Sequence, residues 1–155
     1  AIAPRYLPLL AARWAEAGVE MRCDRRALSI LGQRDGHRSA PASDEDWGQE
    51  FLSLTAAIKV VDSQDEAMEH IEKYGSGHTE AIVTEDYTAA NRFLEEVDSG
   101  VVLVNASTRF NDGGQLGLGA EVAISTGKMH ARGPLGLKEL TSYKWTVLGT
   151  GQVRE

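Results

Sequence analysis

The sequence predicts an α/β fold, a parallel sheet flanked by helices, with one further strand near the C-terminal end. Three observations carry this expectation. Between Leu54 and Asn105, short β-rich runs alternate with stretches of helical spacing, joined by brief punctuation. The run Val101-Val102-Leu103-Val104 has no polar alternation, as expected of a strand covered on both faces. Asp or Ser precedes several helical stretches and Gly closes them, meeting the capping needs of a first and a last turn.

The elements follow in order. Tyr6, Leu9, Leu10, Arg13, Trp14 and Ala17 recur at helical spacing over residues 5–17, and Gly18 ends the run. Val19, Met21 and Cys23 then alternate with Glu20 and Arg22, the pattern of a half-buried strand. Asp24 is placed to cap a helix through Leu31, stopped at Gly32. Residues 33–46 hold Gly36, Ser39, Pro41 and Ser43 among acids, without periodicity, and predict an exposed loop. A strand is expected from Leu54 to Val61, then a helix capped by Asp62-Ser63. A second strand follows from Ala81 to Thr84, a helix from Asp86 to Val97, and a third strand from Val101 to Asn105. Residues 106–136 carry seven glycines and few apolar clusters, and a segment of that length without regular structure is more often functional than filler. Leu137 to Leu140 suggests a helical turn. Thr141 to Leu148 alternates and is rich in Tyr, Trp and Val, which predicts a strand.

Composition narrows the function. A chain of 155 residues, 42% hydrophobic, can bury a core of its own. A net charge of −7 opposes nucleic acid or an anionic membrane as partner, since either wants a basic surface. A single cysteine excludes an internal disulfide framework and fits a reducing cytoplasm. The first residues have neither the charged region nor the apolar core of a signal peptide, and no apolar run nears the roughly 20 residues that span a bilayer.

Few residues stand out chemically. Cys23 sits on the apolar side of its strand rather than at a helix N-terminus, so it reads as an inert core thiol. Gly75-Ser76-Gly77 and Gly117-Leu118-Gly119 fall short of a dinucleotide fingerprint, because Glu80 and Val122 stand where its last glycine would be. The histidines do not cluster at metal spacing. Glu50 follows Trp47-Gly48 and precedes a strand, a rim position from which a carboxylate can accept two hydrogen bonds from a ribose. A solvated turn acid fits the same local sequence.

Several stretches carry a resemblance. The run VDSQDEAMEHIEKYGSGHTEAIVTED (61–86), with Val104 to Phe110, Gly117 to Glu121 and His130 to Pro134, is similar to the γ-glutamyl phosphate reductases, also called glutamate-5-semialdehyde dehydrogenases. The likeness runs through essentially the whole chain and implies the aldehyde dehydrogenase superfamily. It also implies a mechanism. A cysteine thiolate attacks the acyl phosphate of γ-glutamyl phosphate, phosphate leaves, and NADPH delivers hydride to the thioester, in an enzyme of cytoplasmic proline synthesis.

The resemblance makes residues 1–120 the C-terminal portion of a catalytic domain, 121–140 a crossing segment, and 141–155 an oligomerisation strand and tail. It puts the nucleophile in a Cys-Asn-Ala stretch, which does not occur here, so no catalytic residue is expected in this chain and the nucleophile is expected upstream of Ala1. NADPH would be held mainly by a domain outside the chain, with Glu50 on the nicotinamide ribose. Asn105, Ser107, Thr108 and Arg109 fall where the last catalytic strand ends, near the substrate. Arg109 or Arg132 could hold the α-carboxylate of the glutamyl group. Residues 141–150 would pair subunits into a homo-oligomer. By itself the chain is expected to be inactive. An alternative from another class is a free-standing α/β interaction or regulatory module derived from the same fold. An aldehyde-oxidising branch of the superfamily shares the fold but fits 61–86 and 130–134 less well.

Overall fold

A computed structural model describes residues 2–32 and 38–155. The described chain forms two compact units. One runs from the N-terminal end to Ser76 and includes Asp86–Val97; the other comprises Gly77–Glu85 and Asp98–Glu155.

The first unit is a three-stranded parallel sheet under two helices. Helix α1 (Ala3–Glu16) ends where Gly18 takes a φ of +74°. There the Gly18 N–H donates to the Ala15 carbonyl and Val19 N–H to that of Trp14, which satisfies the last carbonyls of the helix. Strand β1 (Glu20–Cys23) leads to α2 (Arg25–Leu31), capped by the Asp24 carboxylate accepting from Ala27 N–H at 2.7 Å and closed by Gly32. Strand β2 (Ser39–Pro41) and strand β3 (Thr55–Ile58) flank β1, giving the order β2-β1-β3, all parallel.

Leu7 and Ala11 of α1, Ala27 and Leu31 of α2, and Met21 and Cys23 of β1 are buried together with Ile58. Spacings of four on the helices and two on the strand put each pair on one face, which is why six short positions close a core. On the other face of β1, Arg22 and Glu20 form an ion pair at 2.8 Å. Burial pushes the Cys23 thiol up, and neighbouring Asp24 adds to it. A thiol so placed is a poor nucleophile. Cys23 should therefore resist Ellman's reagent in the folded chain and react at once in denaturant; rapid labelling of folded protein would show that the thiol is exposed.

Helix α3 (Gln64–Tyr74) and helix α4 (Tyr87–Glu96) complete the unit and pack on each other. Arg92 joins Asp65 to Glu96, and the Gln64 amide donates to the Ala89 carbonyl at 2.9 Å. Ser63 caps α3 by accepting from Glu66 N–H, and Asp86 caps α4 through Ala89 N–H. Asp62, expected to share the first cap, instead takes the Arg26 guanidinium through both carboxylate oxygens at 2.9 and 2.6 Å.

In the second unit, β4 (Thr79–Ile82) and β5 (Val101–Val104) pair in parallel, with Thr79 opposite Val101 and Ile82 opposite Val104. Strands β6 (Ala123–Ser125) and β7 (Gly133–Leu135) form an antiparallel pair.

The structure corrects the sequence expectation at several places. The series from Leu54 to Asn105 does not make one sheet: β3 pairs with β1, while β4 and β5 pair with each other. Hydrophobic period and caps identify strands, but pairing is a tertiary choice. The strand expected over Leu54 to Val61 is shorter, and that expected over Ala81 to Thr84 begins at Thr79. In the expected loop 33–46, residues 39–41 form β2 and 44–46 a single 3-10 turn, while 33–37 lie outside the described residues. Segment 106–136 is likewise not structureless, since it holds a 3-10 turn at Thr108–Phe110 and the β6–β7 pair. Val101 to Val104 are half-buried rather than covered on both faces. Residues 137–140 do form a turn, whereas 141–148 join no strand ladder among the described residues. Tyr143 and Trp145 are each 87% exposed.

Candidate functional site

Glu50 lies on a turn of the first unit. A 3-10 turn at Asp44–Asp46 leads into it, closed by Asp46 accepting from Ser43 N–H at 2.7 Å. Gly48 then takes a φ of +79°, which permits the backbone to lie against α3: a Cβ here would stand 2.8 Å from the Tyr74 carbonyl oxygen. Leu52 reverses the chain again with a φ of +50° and a side chain left in solvent. Between these two bends Glu50 is exposed, and among the described residues its carboxylate has no hydrogen-bond or ion-pair partner. An exposed carboxylate between two bends offers two acceptor oxygens to hydroxyl or N–H donors.

Behind that turn stands an aromatic stack. The Trp47 ring meets His70 edge-on at 5.4 Å between centroids, and His70 lies against Tyr74 at 4.7 Å. The Lys59 ammonium is 3.3 Å from His70 Nδ1. An ammonium can only donate, so Nδ1 accepts and Nε2 carries the proton. Burial, then the charges of Lys59 and Lys73, hold the imidazole below its ordinary range.

The other candidates belong to the second unit. Asn105 ends β5 with a φ of +54°, a left-handed step that Asn tolerates better than most residues. Its amide is engaged at both ends by Thr84, donating to the carbonyl at 2.8 Å and accepting from the N–H at 2.9 Å. The amide thus extends the β4–β5 pairing beyond its last backbone bond. Ser107 then caps the 3-10 turn, its hydroxyl accepting from Arg109 N–H. Thr108 and Arg109 point into solvent, and among the described residues the Arg109 guanidinium has no carboxylate or carbonyl partner. Past the turn, buried Asn111 donates to Thr79 Oγ1 at 2.6 Å, tying the segment back to the start of β4.

Arg132 is differently placed. Its guanidinium reaches the Asp98 carboxylate, the Asp98 carbonyl at 3.1 Å and the Thr126 carbonyl at 3.1 Å. Lys128 meets the same carboxylate, and together the two cations hold Asp98 below the usual carboxylate range. This knot binds the β6–β7 pair to the turn before β5, the opposite end of that strand from Asn105. Sequence reading missed Asp98 and Asn111. Asp98 carried only a turn signal, and an ion pair 34 residues away leaves no local pattern.

Among the described residues no group of three His, Cys, Asp or Glu side chains could hold a metal, and no helix is long and apolar enough to cross a membrane.

Residues 47–146 match the model of the aldehyde dehydrogenase family. A protein named γ-glutamyl phosphate reductase from Dehalococcoides mccartyi is 64% identical over 153 residues, covering 99% of this chain and 36% of the relative. One of the same name from Chloroflexus aurantiacus is 59% identical over 157 residues, 99% of this chain and 37% of its own length. The crystal structure of γ-glutamyl phosphate reductase from Thermotoga maritima superposes with a TM-score of 0.89 at 50% identity, over 99% of this chain and 36% of that one. The chain therefore spans about a third of the length of these relatives. With its family model covering most of the residues and its α/β fold shared with that crystal structure, the chain belongs to the aldehyde dehydrogenase family.

Proposed function

We propose that the chain is part of an NADPH-dependent reductase of proline biosynthesis that converts γ-glutamyl phosphate to glutamate-5-semialdehyde and phosphate, and that it is inactive by itself. The observation that carries this reading is the Arg109 guanidinium, unpartnered among the described residues, on a turn pinned at both sides, by Asn105 on Thr84 and by Asn111 on Thr79. A planar fork of donors so held suits the α-carboxylate of a glutamyl group. Each nitrogen of the Arg132 guanidinium already donates to Asp98 or Thr126, which favours Arg109 as the carboxylate ligand and gives Arg132 a structural part. Ser107 and Thr108 line the same turn, and Asn105 contributes by setting where it starts.

NADPH supplies the hydride when bound. Glu50 accepts from the nicotinamide ribose, while the nucleotide phosphates fall to a domain outside this chain, as does the cysteine nucleophile. Residues 1–120 act as the C-terminal portion of the catalytic domain, 121–140 cross from it, and 141–150 pair subunits of a cytoplasmic homo-oligomer. Support for the last comes from Tyr143 and Trp145, alternating and exposed in a segment without a ladder.

The test is the reverse reaction of the full-length protein, phosphate-dependent oxidation of glutamate-5-semialdehyde with NADP, compared with butanal, which lacks the amino-acid head. A strong preference for the former is expected, and equal use of both would overturn the substrate assignment. Glu50→Gln in the same protein should raise the Michaelis constant for NADP about tenfold, since a charged hydrogen bond contributes about 1.5–3 kcal/mol. Unchanged cofactor kinetics would make Glu50 a plain turn acid.

A further inference from the structure

We infer that His70 and Tyr74, on the last two turns of α3, are positioning residues for Glu50, acting through the Trp47–Gly48 turn. The inference rests on the reading of Glu50 as the ribose ligand. The segment carrying Glu50 has one anchor on each side. Downstream, the Leu54 carbonyl accepts from Glu20 N–H at 2.8 Å, at the mouth of the sheet. Upstream, the anchor is the contact with α3: Trp47 edge-on to His70, His70 on Tyr74, and the Gly48 backbone close over the Tyr74 carbonyl.

Between the anchors Gln49, Glu50, Leu52 and Ser53 are exposed and Phe51 is half-buried, and among the described residues no hydrogen bond or ion pair holds the Glu50 carboxylate itself. His70 is the centre of the upstream anchor. Its ring touches Trp47 and Tyr74, and its Nδ1 accepts from Lys59 just beyond the end of β3, so one side chain ties turn, helix and sheet end together. The Lys73 ammonium lies 4.9 Å from the centroid of the Tyr74 ring, a cation–π contact on the side chain that backs His70. A carboxylate must be held within a fraction of an ångström to orient a nicotinamide. Rigid aromatic contacts supply that at low entropic cost, because few torsions need fixing.

The experiment is a mutant cycle in the full-length enzyme, read as the Michaelis constant for NADP. His70→Ala should raise that constant about fivefold while leaving the constant for glutamate-5-semialdehyde unchanged. His70→Phe, which keeps a ring between Trp47 and Tyr74, should restore it. In a Glu50→Gln background, His70→Ala should add nothing further, because a residue acting only through Glu50 has no effect once that carboxylate is neutral. Trp47→Leu, made on the turn rather than the helix, should behave as His70→Ala does and serves if the latter does not fold. If Glu50→Gln leaves the constant unchanged, the ribose reading fails. If Glu50→Gln raises it but the His70 and Trp47 variants do not, or if their effects multiply with that of Glu50→Gln, positioning is overturned and the ribose reading stands.

Discussion

On the proposed function, Arg109→Met in the full-length protein is expected to raise the Michaelis constant for glutamate-5-semialdehyde by about two orders of magnitude, and Arg132→Met to leave it nearly unchanged while lowering the melting temperature. The first figure follows from losing a bidentate charged pair, in which each hydrogen bond contributes about 1.5–3 kcal/mol. Arg109→Lys should recover only part of the loss, since a single ammonium cannot reproduce the fork.

Arg132 differs because each nitrogen of its guanidinium already donates within the fold. Removing it frees the Thr126 and Asp98 carbonyls and leaves Asp98 with Lys128 alone. Asp98 is held below the usual carboxylate range by these cations, so its share of stability is present above the unfolded pKa and is lost as the pH falls through the lower, folded value. Arg132→Met should therefore also blunt the acid dependence of melting, seen in thermal scans from neutral pH to about pH 3, below the ordinary Asp pKa. Reversed roles, with Arg132→Met abolishing substrate saturation and Arg109→Met only lowering melting temperature, would mean that the ion pair opens for the substrate.

The second large effect concerns assembly. Trp145→Asp should shift the full-length protein to a smaller species in light scattering while sparing the fold. Among the described residues the Trp145 ring meets that of Tyr143 edge-on, at 6.3 Å between centroids, and both side chains stand in solvent. Burying a Trp against a partner removes about 200 Å² from water, which at about 25 cal/mol per Å² is worth several kcal/mol, and a carboxylate in its place reverses the sign. Melting of the individual units should not change, because among the described residues neither the core cluster nor a side-chain hydrogen bond involves Trp145, which is 87% exposed. Retention of the full oligomeric mass, or outright unfolding, would assign the segment to the subunit's own core.

Sequence by itself determined the local layer of this protein. Helix α2, with Asp24 before it and Gly32 after it, is found where cap chemistry and period put it, because an N-cap carboxylate and a left-handed stop act within one turn. The same holds for α3 behind Ser63 and α4 behind Asp86. The buried position of Cys23 was legible as well, since alternation alone puts it with Met21 on the apolar face. The resemblance to γ-glutamyl phosphate reductases rested on ordered runs of residues, and the similarity to proteins of that name bears it out.

Tertiary structure alone decided which strands pair, and so separated β3 from β4 and β5. Backbone hydrogen bonds are nearly alike for any β-rich run, and the choice among partners lies in the packing of both faces. It also raised Ser39–Pro41 from loop to strand, since β1 offered a free edge to a segment with no pattern of its own. At the candidate site it distinguished two arginines that the sequence left equivalent. One is held by Asp98, far away along the chain, and the other has no partner among the described residues. An ion pair costs each partner desolvation and side-chain freedom and repays it only where the fold has already brought the charges together, so residue type and spacing carry no trace of it.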